Sequence, residues 1–494
     1  MIYVKLSDNS FWYDIYNIIR MFFKKDEIIL LEHESDDANK SDDINESSEF
    51  NVVNVLISIV INKDTNSTDS VTVSTTKNKK ELSRQVYKAL SKYTGKQMPW
   101  GMLTGVRPAK IPYEMMEKGK ASEEILSKLE KFYFISSQKA ALAYRVAETE
   151  KEILKRNTKD MVSLYIGIPF CKTRCHYCSF TSNCINRNAH LVDKYIDSLK
   201  KEMQIINEDI LKKERLKIQT IYVGGGTPTS ISKEQLADLL QFIENTLDLQ
   251  HLEEYTLEAG RPDTIDREKL MAIKNSKTSR ISINPQTMNM ETLKAIGRSH
   301  TPEELKDAFY LAREIGFKNI NMDVIVGLPG EDVSMFEHTM KEIQSMNPES
   351  LTVHSLALKK ASKLKEDLDN KEEPIPMPHS DLIIDEMANT MTEMAYNYAL
   401  SMGMHPYYLY RQKNITGNLE NVGYCKPSFE SIYNIQIMEE RQTIMGIGAG
   451  AITKWLTGGE PELIEGDVLD KKVLEARGER KKRQYRLTIR IENL

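Results

Sequence analysis

Short apolar runs alternate with amphipathic segments through the middle of this chain, from Ser163 to about Leu358. The apolar runs are SLYIGIPF, QTIYVGGGTP, EYTLEAG, SRISINPQT, NINMDVIVGLPG and SLTVHSLAL. Segments with helical spacing of apolar residues lie between them, among them HLVDKYIDSLKKEMQII, SKEQLADLLQFIENTL and TPEELKDAFYLAREIG. Such alternation is typical of parallel strands joined by right-handed crossovers. The pattern therefore predicts an α/β fold with six parallel strands, either a barrel, complete or incomplete, or an open sheet.

The N-terminal part of the chain predicts a smaller α+β unit. EIILLEH, FNVVNVLISIVIN and DSVTVSTT are rich in β-branched residues, which favours strands. KKELSRQVYKALSKYTGK carries Leu82, Val86, Leu90 and Tyr93 at helical spacing. The acidic run ESDDANKSDDINESSEF, between the first two strands, is typical of a solvated, mobile loop. We therefore predict an N-terminal α+β domain over residues 1–95.

The other stretches divide into a connector and a last domain. MPWGMLTGVRPAKIPYEMMEKG indicates an ordered connector, and helices are expected from residue 120 to residue 158. The charged, proline-bearing run KKASKLKEDLDNKEEPIPMP leads into the last domain. There GNLENVGYCKPS and GIGAGAIT predict two glycine-bearing loops around a helix, and ARGERKKRQYRLTIRI is a basic tail. The predicted domains after residue 95 are a helical connector at 96–160, the α/β core at 161–360 and a C-terminal α+β extension at 361–494.

Composition and charge are those of an ordinary globular protein. Of 494 residues, 40% are hydrophobic and 28% charged, and the net charge of −5 gives no bulk electrostatic case for nucleic-acid binding. No apolar run reaches the ~18–20 residues that a membrane span requires. The N-terminal sequence lacks the basic leader, apolar core and cleavage site of a signal peptide. We therefore expect a cytoplasmic protein with reduced thiols and no integral membrane segment.

Three of the five cysteines, Cys171, Cys175 and Cys178, are spaced C-x3-C-x2-C. Short runs of this kind are typical of iron–sulfur ligation by thiolates. Three ligands would anchor three irons of a [4Fe–4S] cluster and leave the fourth iron open to an exogenous ligand with an amine and a carboxylate. The alternatives are a zinc site completed by Cys184 or His176, for which the chain offers no second C-x2-C pair, and three unrelated structural cysteines.

Other residues of unusual type also follow strands of the predicted sheet. The run Gly224–Thr229 follows the second strand, where glycines let a ligand approach backbone N–H groups, although glycine runs also occur in ordinary tight turns. Glu258 ends the third strand, and its carboxylate can pair with a ribose diol or an ammonium group. Arg298 and Asp323 hold comparable positions, where a salt bridge is the alternative role. Because ligand sites in α/β folds lie at the carboxyl ends of strands, we expect these residues to converge there.

In chain order, the cysteine run, GGGTPT, LEAGRPD and the series Gln286, Arg298 and Asp323 resemble the radical S-adenosylmethionine (SAM) superfamily. Within it, the chain is similar to oxygen-independent coproporphyrinogen III oxidases. The N-terminal part with WGMLTGVRPAKI looks like the gram-positive branch of that family. The resemblance covers about Ser163–Leu358 and continues more loosely through GNLENVGY and GIGAGA. It implies a partial (βα)6 radical-SAM barrel for the core.

The resemblance implies two cofactors, a [4Fe–4S] cluster and SAM chelated to the open iron, with a second SAM molecule in some members. One electron would cleave SAM to methionine and a 5′-deoxyadenosyl radical, which takes a hydrogen from the β-carbon of a substrate propionate. Loss of CO2 and a further electron would leave a vinyl group. Two such steps convert coproporphyrinogen III to protoporphyrinogen IX in heme biosynthesis. The expected partners are the tetrapyrrole and an electron donor such as flavodoxin or ferredoxin, and the expected state is a monomer.

Residue by residue, the resemblance assigns the cluster to Cys171, Cys175 and Cys178. It assigns SAM contacts with a role in catalysis to Tyr165 and Glu258. The other expected contacts to one or two SAM molecules are Tyr177, Gly225, Gly226, Thr227, Gln286, Arg298, Asp323, Ala357 and Ile447.

Two positions depart from the oxidase pattern and keep other functions open. Gly167 stands where oxidases usually have the histidine of Y-x-H-x-P-F-C, and Phe180 where they tend to have a further cysteine. The phenylalanine form also occurs in a heme-chaperone branch, so a heme chaperone is the second hypothesis, although no His or Cys pair follows Cys425. A radical enzyme acting on another tetrapyrrole is the third. For the oxidase, candidate contacts to substrate propionates are Arg411, Lys413 and Lys426.

Overall fold

The computed structural model describes residues 2–23, 28–31, 54–62, 68–76, 78–180, 182–357, 362–363, 381–412, 419–457 and 460–464. The acidic run 34–50, Lys413, nearly all of the charged run 359–378 and the basic tail 476–491 lie outside the described residues. The predictions made for them stay predictions. The chain forms two compact units, Met1–Tyr144 and Arg145–Leu494.

The first unit contains a four-stranded sheet with the order β2-β1-β3-β4. Its strands are β1 (Ile2–Leu6), β2 (Ile28–Leu30), β3 (Asn54–Asn62) and β4 (Thr68–Thr76). The helices up to residue 154 are α1 (Trp12–Ile19), α2 (Lys79–Thr94), α3 (Lys110–Glu117), α4 (Ser122–Lys131) and α5 (Ser137–Leu154). The three strands and the helix predicted here are confirmed. The sequence patterns did not predict β1, whose alternate residues Ile2, Val4 and Leu6 are buried, or α1.

The second unit carries the larger sheet and the helices around it. Its strands are β5 (Met161–Ile168), β6 (Phe170–Cys171), β7 (Asn183–Cys184), β8 (Lys217–Gly225), β9 (Glu254–Glu258), β10 (Arg280–Ser282), β11 (Ile320–Val326), β12 (Ser350–Ser355), β13 (His405–Tyr410), β14 (Asn421–Cys425), β15 (Thr443–Ile447), β16 (Thr453–Thr457) and β17 (Glu460–Ile464). Its helices are α6 (Ile185–Ile206), α7 (Lys233–Thr246), α8 (Arg267–Lys274), α9 (Met290–Ala295), α10 (Pro302–Ile315), α11 (Val333–Met346), α12 (Asp381–Ser401) and α13 (Ile432–Glu439).

Six strands of this unit, β5, β8, β9, β10, β11 and β12, lie side by side in chain order and are all parallel. The predicted α/β core with six parallel strands is therefore confirmed. The full sheet has the order β13-β14-β12-β11-β10-β9-β8-β5-β15-β16-β17. At one edge of the core β14 pairs antiparallel with β12, and at the other edge β15 pairs parallel with β5. The carboxyl ends of the six core strands thus face one side, where the cysteine loop follows β5.

Two of the helices that connect core strands begin at a capping box in the sequence. Ser232 and Gln235 form a capping box at the start of α7, and Thr301 and Glu304 form another at the start of α10. Each box satisfies two backbone N–H groups that the first helical turn leaves without partners. The described part of the chain contains no helix that is long and apolar enough to cross a membrane.

The predicted glycine loop GNLENVGYCKPS is wrong for residues 421–425, which form β14. Gly423 lies under the ring of Tyr408, and a Cβ built there would be 1.9 Å from the Tyr408 Cε1 atom. The glycine therefore admits a tyrosine ring of the neighbouring strand and does not mark a turn. The second predicted loop is confirmed, because β15 ends at Ile447 and the next residue, Gly448, has φ of +95°. The helix predicted between the two glycine segments is α13.

Candidate functional site

The cysteine loop leaves the core at the carboxyl end of β5 and is fixed at both of its ends. The short strands β6 and β7 pair in parallel, with Cys171 opposite Cys184, and the Asn183 N–H donates to the Pro169 carbonyl at 2.7 Å. Within the loop, the Cys178 N–H donates to the Cys175 carbonyl at 3.0 Å. All three predicted ligands, Cys171, Cys175 and Cys178, line one cavity of about 240 Å³.

The glycine run after β8 lets this strand end approach the start of the cysteine loop. The Gly226 N–H donates to the Ile168 carbonyl at 2.8 Å, and the Thr227 N–H donates to the Phe170 carbonyl at 2.7 Å. A Cβ on Gly226 would lie 2.5 Å from the Phe170 oxygen and 2.7 Å from the Ile168 oxygen, so no larger residue fits without a backbone shift. The Thr227 hydroxyl lies 3.5 Å from the Cys171 sulfur. The run thus positions the cysteine loop as well as lining the cavity.

Glu258 ends β9 beside this glycine run. The Tyr222 hydroxyl donates to the Glu258 carboxylate, and the Gly225 N–H also donates to it. A Cβ on Gly224 would lie 2.7 Å from Oε2 of Glu258, so glycine makes room for the carboxylate. Burial raises the pKa of Glu258 to about 7, against the lowering effect of the hydrogen bond from Tyr222. A carboxyl group with a pKa close to neutral pH therefore lines the cavity.

We expect Glu258→Gln to stabilise the cluster-free protein at pH 8 relative to the parent, and to leave it nearly unchanged at pH 4.5. The folded-state pKa of Glu258 lies above its unfolded value, so its contribution to stability is present below about pH 4.5 and is lost as the pH rises through about 7. The gain at pH 8 should be roughly 2 kcal/mol. Thermal unfolding of both proteins at the two pH values measures it.

Glu291→Gln is the matched control, because the Glu291 side chain is 83% exposed and makes only a surface pair with Lys294. Its melting temperature should follow that of the parent at both pH values. A Glu258→Gln variant whose melting temperature differs from that of the parent by the same amount at pH 4.5 and pH 8 would contradict the raised pKa of Glu258.

Residues that follow β10, residues of β11 and the segment before α10 form another part of the cavity lining. The Gln286 N–H donates to the Asp323 carbonyl at 2.9 Å, and Gln286 itself has a φ of +64°. Arg298 donates to the carbonyls of Asn284 at 2.8 Å and Gly260 at 3.2 Å. Its Nε is buried with no hydrogen-bond partner among the described residues. This part of the lining therefore offers an unused donor close to the cysteines.

Asp323 is tied to its neighbours by a group of polar contacts. The side-chain amides of Asn284 and Asn321 donate to its carboxylate at 2.8 Å and 2.7 Å, and His354 Nε2 lies 3.9 Å away. Burial alone would raise the pKa of Asp323, yet His354 and the hydrogen bond from Asn321 hold it below its ordinary value. Asp323 is therefore the ionised carboxylate of the cavity, in contrast to Glu258.

The structure brings most of the predicted site residues together. Those that line the cavity are Cys171, Cys175, Tyr177, Cys178, Gly225, Gly226, Thr227, Glu258, Gln286, Arg298, Asp323 and Ala357. Tyr165 is outside the lining. Its ring stacks with Tyr222 at 6.2 Å and Tyr433 at 6.4 Å, and its hydroxyl would touch a Cβ on Gly225 at 3.0 Å. Ile447 is also outside the lining, because it is fully buried in β15.

Several lining residues were missed by the sequence analysis. They are Thr173, Ser179, Ser182, Gly260, Arg261, Asn284, Ile325, His354, Ser355, Leu356, Tyr410, Gln412 and Asn421. His354 and Arg261 stand in two segments quoted above, the apolar run SLTVHSLAL and the motif LEAGRPD. Their place at or just after the end of a predicted strand was the available signal. The predicted propionate contact Arg411 is buried and outside the lining, whereas Tyr410 and Gln412 on either side of it belong to the lining. Lys426 lies near the amino end of β12, away from the carboxyl ends of the core strands, and its N–H donates to the Glu349 carbonyl just before β12.

The alternative zinc site is not supported by the positions of its ligands. Cys184 donates to the Lys172 carbonyl at 3.2 Å, and His176 Nδ1 lies 3.0 Å from the Ala295 carbonyl; neither residue lines the cavity. Tetrahedral zinc with bonds of ~2.3 Å places its sulfurs within ~4 Å of one another. In the described part of the chain, the sulfurs of the three clustered cysteines do not form a group within 4.8 Å. A polynuclear cluster suits this wider spacing.

Comparison with known proteins adds independent information. The profile of the Radical SAM superfamily matches residues 165–343. The chain is 45% identical over 383 residues to the "Oxygen-independent coproporphyrinogen-III oxidase-like protein HemZ" of Bacillus subtilis (strain 168). The aligned region covers 76% of this chain and 74% of that relative. It is 34% identical over 292 residues to the "Heme chaperone HemW" of the same organism, over 59% of this chain and 70% of that one.

Among solved structures, the chain is similar to the coproporphyrinogen III oxidase HemN from Escherichia coli, whose title calls it a radical SAM enzyme. The sequence identity is 22% and the TM-score is 0.48, over 62% of this chain and 67% of the other.

Proposed function

Since this chain belongs to the radical SAM superfamily, and within it to the family of the HemZ, HemW and HemN proteins, we propose that it decarboxylates coproporphyrinogen III to protoporphyrinogen IX without oxygen. The observation that carries the proposal is 45% identity, over about three quarters of both chains, to a relative named as coproporphyrinogen-III oxidase-like. The cavity supports this proposal, because its lining includes the three cysteines together with polar side chains of β12, β13 and β14.

The cofactors of the superfamily, a [4Fe–4S] cluster and SAM, fit the residues present. Three thiols line one cavity at a spacing too wide for a single zinc ion. Beside them lie a strand end where only glycine fits and the buried, unpartnered Nε of Arg298. When bound, the cluster and SAM supply a carbon-centred radical that removes a hydrogen atom from the substrate.

We propose the following roles for residues of this chain. Cys171, Cys175 and Cys178 hold the cluster. The Glu258 carboxylate accepts hydrogen bonds from the hydroxyls or the ammonium group of SAM, and its ionised form, favoured above about pH 7, binds them more strongly. The free Nε–H of Arg298 donates to an anionic group of a bound ligand.

The substrate would enter on the side of Phe180, which is 68% exposed at the edge of the cavity. Its ring offers an apolar face to a flat tetrapyrrole. Tyr410 and Gln412 also line this cavity and offer a hydroxyl and an amide to substrate carboxylates. This arrangement replaces Arg411 and Lys426 as the proposed contacts for propionates.

The proposal is tested by anaerobic assembly of the cluster, followed by addition of SAM, a strong reductant and coproporphyrinogen III. Chromatography then quantifies 5′-deoxyadenosine and protoporphyrinogen IX in the same samples. We expect both products to accumulate together. Formation of 5′-deoxyadenosine without decarboxylation would reject the substrate and retain the radical chemistry.

A heme chaperone is the second candidate, favoured by the 34% identity to the relative named as the heme chaperone HemW and by the exposed Phe180. It is distinguished by titration of the assembled protein with heme in the absence of coproporphyrinogen. Tight, stoichiometric heme binding together with no decarboxylation would place this function first. Decarboxylation with only weak heme binding would remove it.

A further inference from the structure

Arg261, three residues after the end of β9, ties this strand end to the cysteine loop. The residue is 3% exposed. Its Nη1 donates to the Thr173 carbonyl and to the Thr173 hydroxyl, both at 3.0 Å, and lies 3.8 Å from the Cys175 sulfur. A single guanidinium group therefore contacts both the backbone of the loop and one of the sulfurs that hold the cluster.

Asp263 orients this guanidinium group from the other side. Its carboxylate accepts from Nε of Arg261 at 3.1 Å and from Nη2 at 3.3 Å, a bidentate arrangement that fixes the plane of the guanidinium. The Asp263 side chain is 5% exposed and also accepts from the Ser299 hydroxyl at 3.0 Å, while Lys172 Nζ lies 3.4 Å away. Although burial opposes it, Arg261 lowers the pKa of Asp263 to about 2, so the Asp263 carboxylate is ionised at working pH.

The three cysteine sulfurs face different surroundings. The Cys175 sulfur lies near the guanidinium groups of Arg261 and Arg298 and the hydroxyl of Tyr177. The Cys171 sulfur lies near the neutral hydroxyl of Thr227. The Cys178 sulfur accepts from the Phe180 N–H. Arg174 also acts on Cys178, and Arg261 acts weakly on Cys171. Cys175 is the sulfur that faces two guanidinium groups, those of Arg261 and Arg298.

We propose that Arg261 and Asp263 are positioning residues that set the reduction potential of the cluster through Cys175. One-electron reduction by a low-potential electron donor adds one negative charge to the cluster, and hydrogen bonds and positive charge at a thiolate stabilise that reduced state. Arg261 favours reduction, and Asp263 counteracts part of its charge. This inference rests on the cluster-dependent chemistry of the proposed function and assigns two residues to its first electron transfer.

The test is a redox titration of the assembled protein, followed by electron paramagnetic resonance, with neither SAM nor tetrapyrrole present. Arg261→Gln should disfavour reduction about tenfold, which lowers the potential by about 59 mV for a one-electron couple. Asp263→Asn should shift the potential in the opposite direction by a similar factor. Arg261→Lys retains the charge without the bidentate geometry and should lie between Arg261→Gln and the parent.

Arg267→Gln is the matched control, because Arg267 lies in the same segment but pairs with Glu314 on the surface. It should leave the potential unchanged. If the Arg261–Asp263 pair has a purely structural role, Arg261→Gln and Asp263→Asn should shift the reduction potential in the same direction, or both should bind less iron. Either result, or unchanged potentials at full iron content, overturns the inference.

If Arg261→Gln fails to bind a full cluster, Asp263→Asn decides alone, and a potential that is unchanged or lowered overturns the inference. The proposed function is tested separately from these results. Opposite shifts in a protein that does not decarboxylate coproporphyrinogen III would confirm the role of the pair and reject only the substrate.

Discussion

Replacement of Cys175 by alanine is expected to abolish cluster binding and, with it, all SAM cleavage by this chain. Cys175 shares its cavity with Cys171 and Cys178, and its sulfur lies 3.8 Å from Nη1 of Arg261. Loss of residues that merely support metal ligands already costs 10–100-fold in metal affinity, so loss of a ligand should cost at least ~100-fold. Iron and sulfide content, the visible absorption of the cluster and 5′-deoxyadenosine formation measure the effect.

Cys184→Ala is the control for this experiment. Cys184 lies opposite Cys171 in the short β6–β7 pair, yet its sulfur donates to the Lys172 carbonyl and does not line the cavity. Its replacement should leave iron content and 5′-deoxyadenosine formation close to those of the parent. If Cys184→Ala loses as much iron as Cys175→Ala, the metal site includes Cys184 and the three-cysteine cluster is wrong.

Gly226→Ala is expected to destabilise the second unit by about 3 kcal/mol and to reduce cluster binding. The new Cβ would meet the oxygens of Phe170 and Ile168 at 2.5 Å and 2.7 Å and the nitrogen of Phe170 at 2.9 Å. All three atoms belong to the backbone, so no side chain can rotate away. Because Cys171 follows Phe170, relief of the clash must also move a cluster ligand. Thermal unfolding and iron content report the two effects.

Gly105→Ala is the matched control, since a Cβ at Gly105 has no atom within 4 Å. This exchange should change the free energy of unfolding by no more than ~0.5 kcal/mol and leave the iron content unchanged. A Gly226→Ala protein with the stability and iron content of the parent would show that the strand end and the cysteine loop can separate. The role given to the glycine run would then be wrong.

The sequence was sufficient to predict the core of the fold because the information was local. Six apolar runs separated by helical patterns, with ligand-type residues at the strand ends, predict parallel strands and a site at one edge. The structure confirms this core and brings Glu258, Arg298 and Asp323 to the cavity that holds the cysteines. Spacing alone, however, left the cysteines compatible with zinc, and the positions of Cys184 and His176 in three dimensions remove that alternative.

The errors of the sequence analysis concern contacts between distant segments. The strand Asn421–Cys425 was predicted as a loop because glycine is typical of turns. In the structure, Gly423 makes room for the ring of Tyr408 on the neighbouring strand, a contact that the local sequence does not reveal. Arg261 passed unnoticed, because its partner in the cysteine loop lies 88 residues away. Arg411 was chosen for its charge, although the neighbouring residues Tyr410 and Gln412 are the ones that line the cavity.

The most direct test of the proposed function follows the hydrogen atom itself. The assembled protein is given SAM, a reductant and coproporphyrinogen III that carries deuterium on the β-carbons of its propionates. We predict that the 5′-deoxyadenosine formed gains one deuterium for each vinyl group that appears in the product. Deoxyadenosine without deuterium, formed while the propionates remain intact, would contradict the proposed substrate and its reaction.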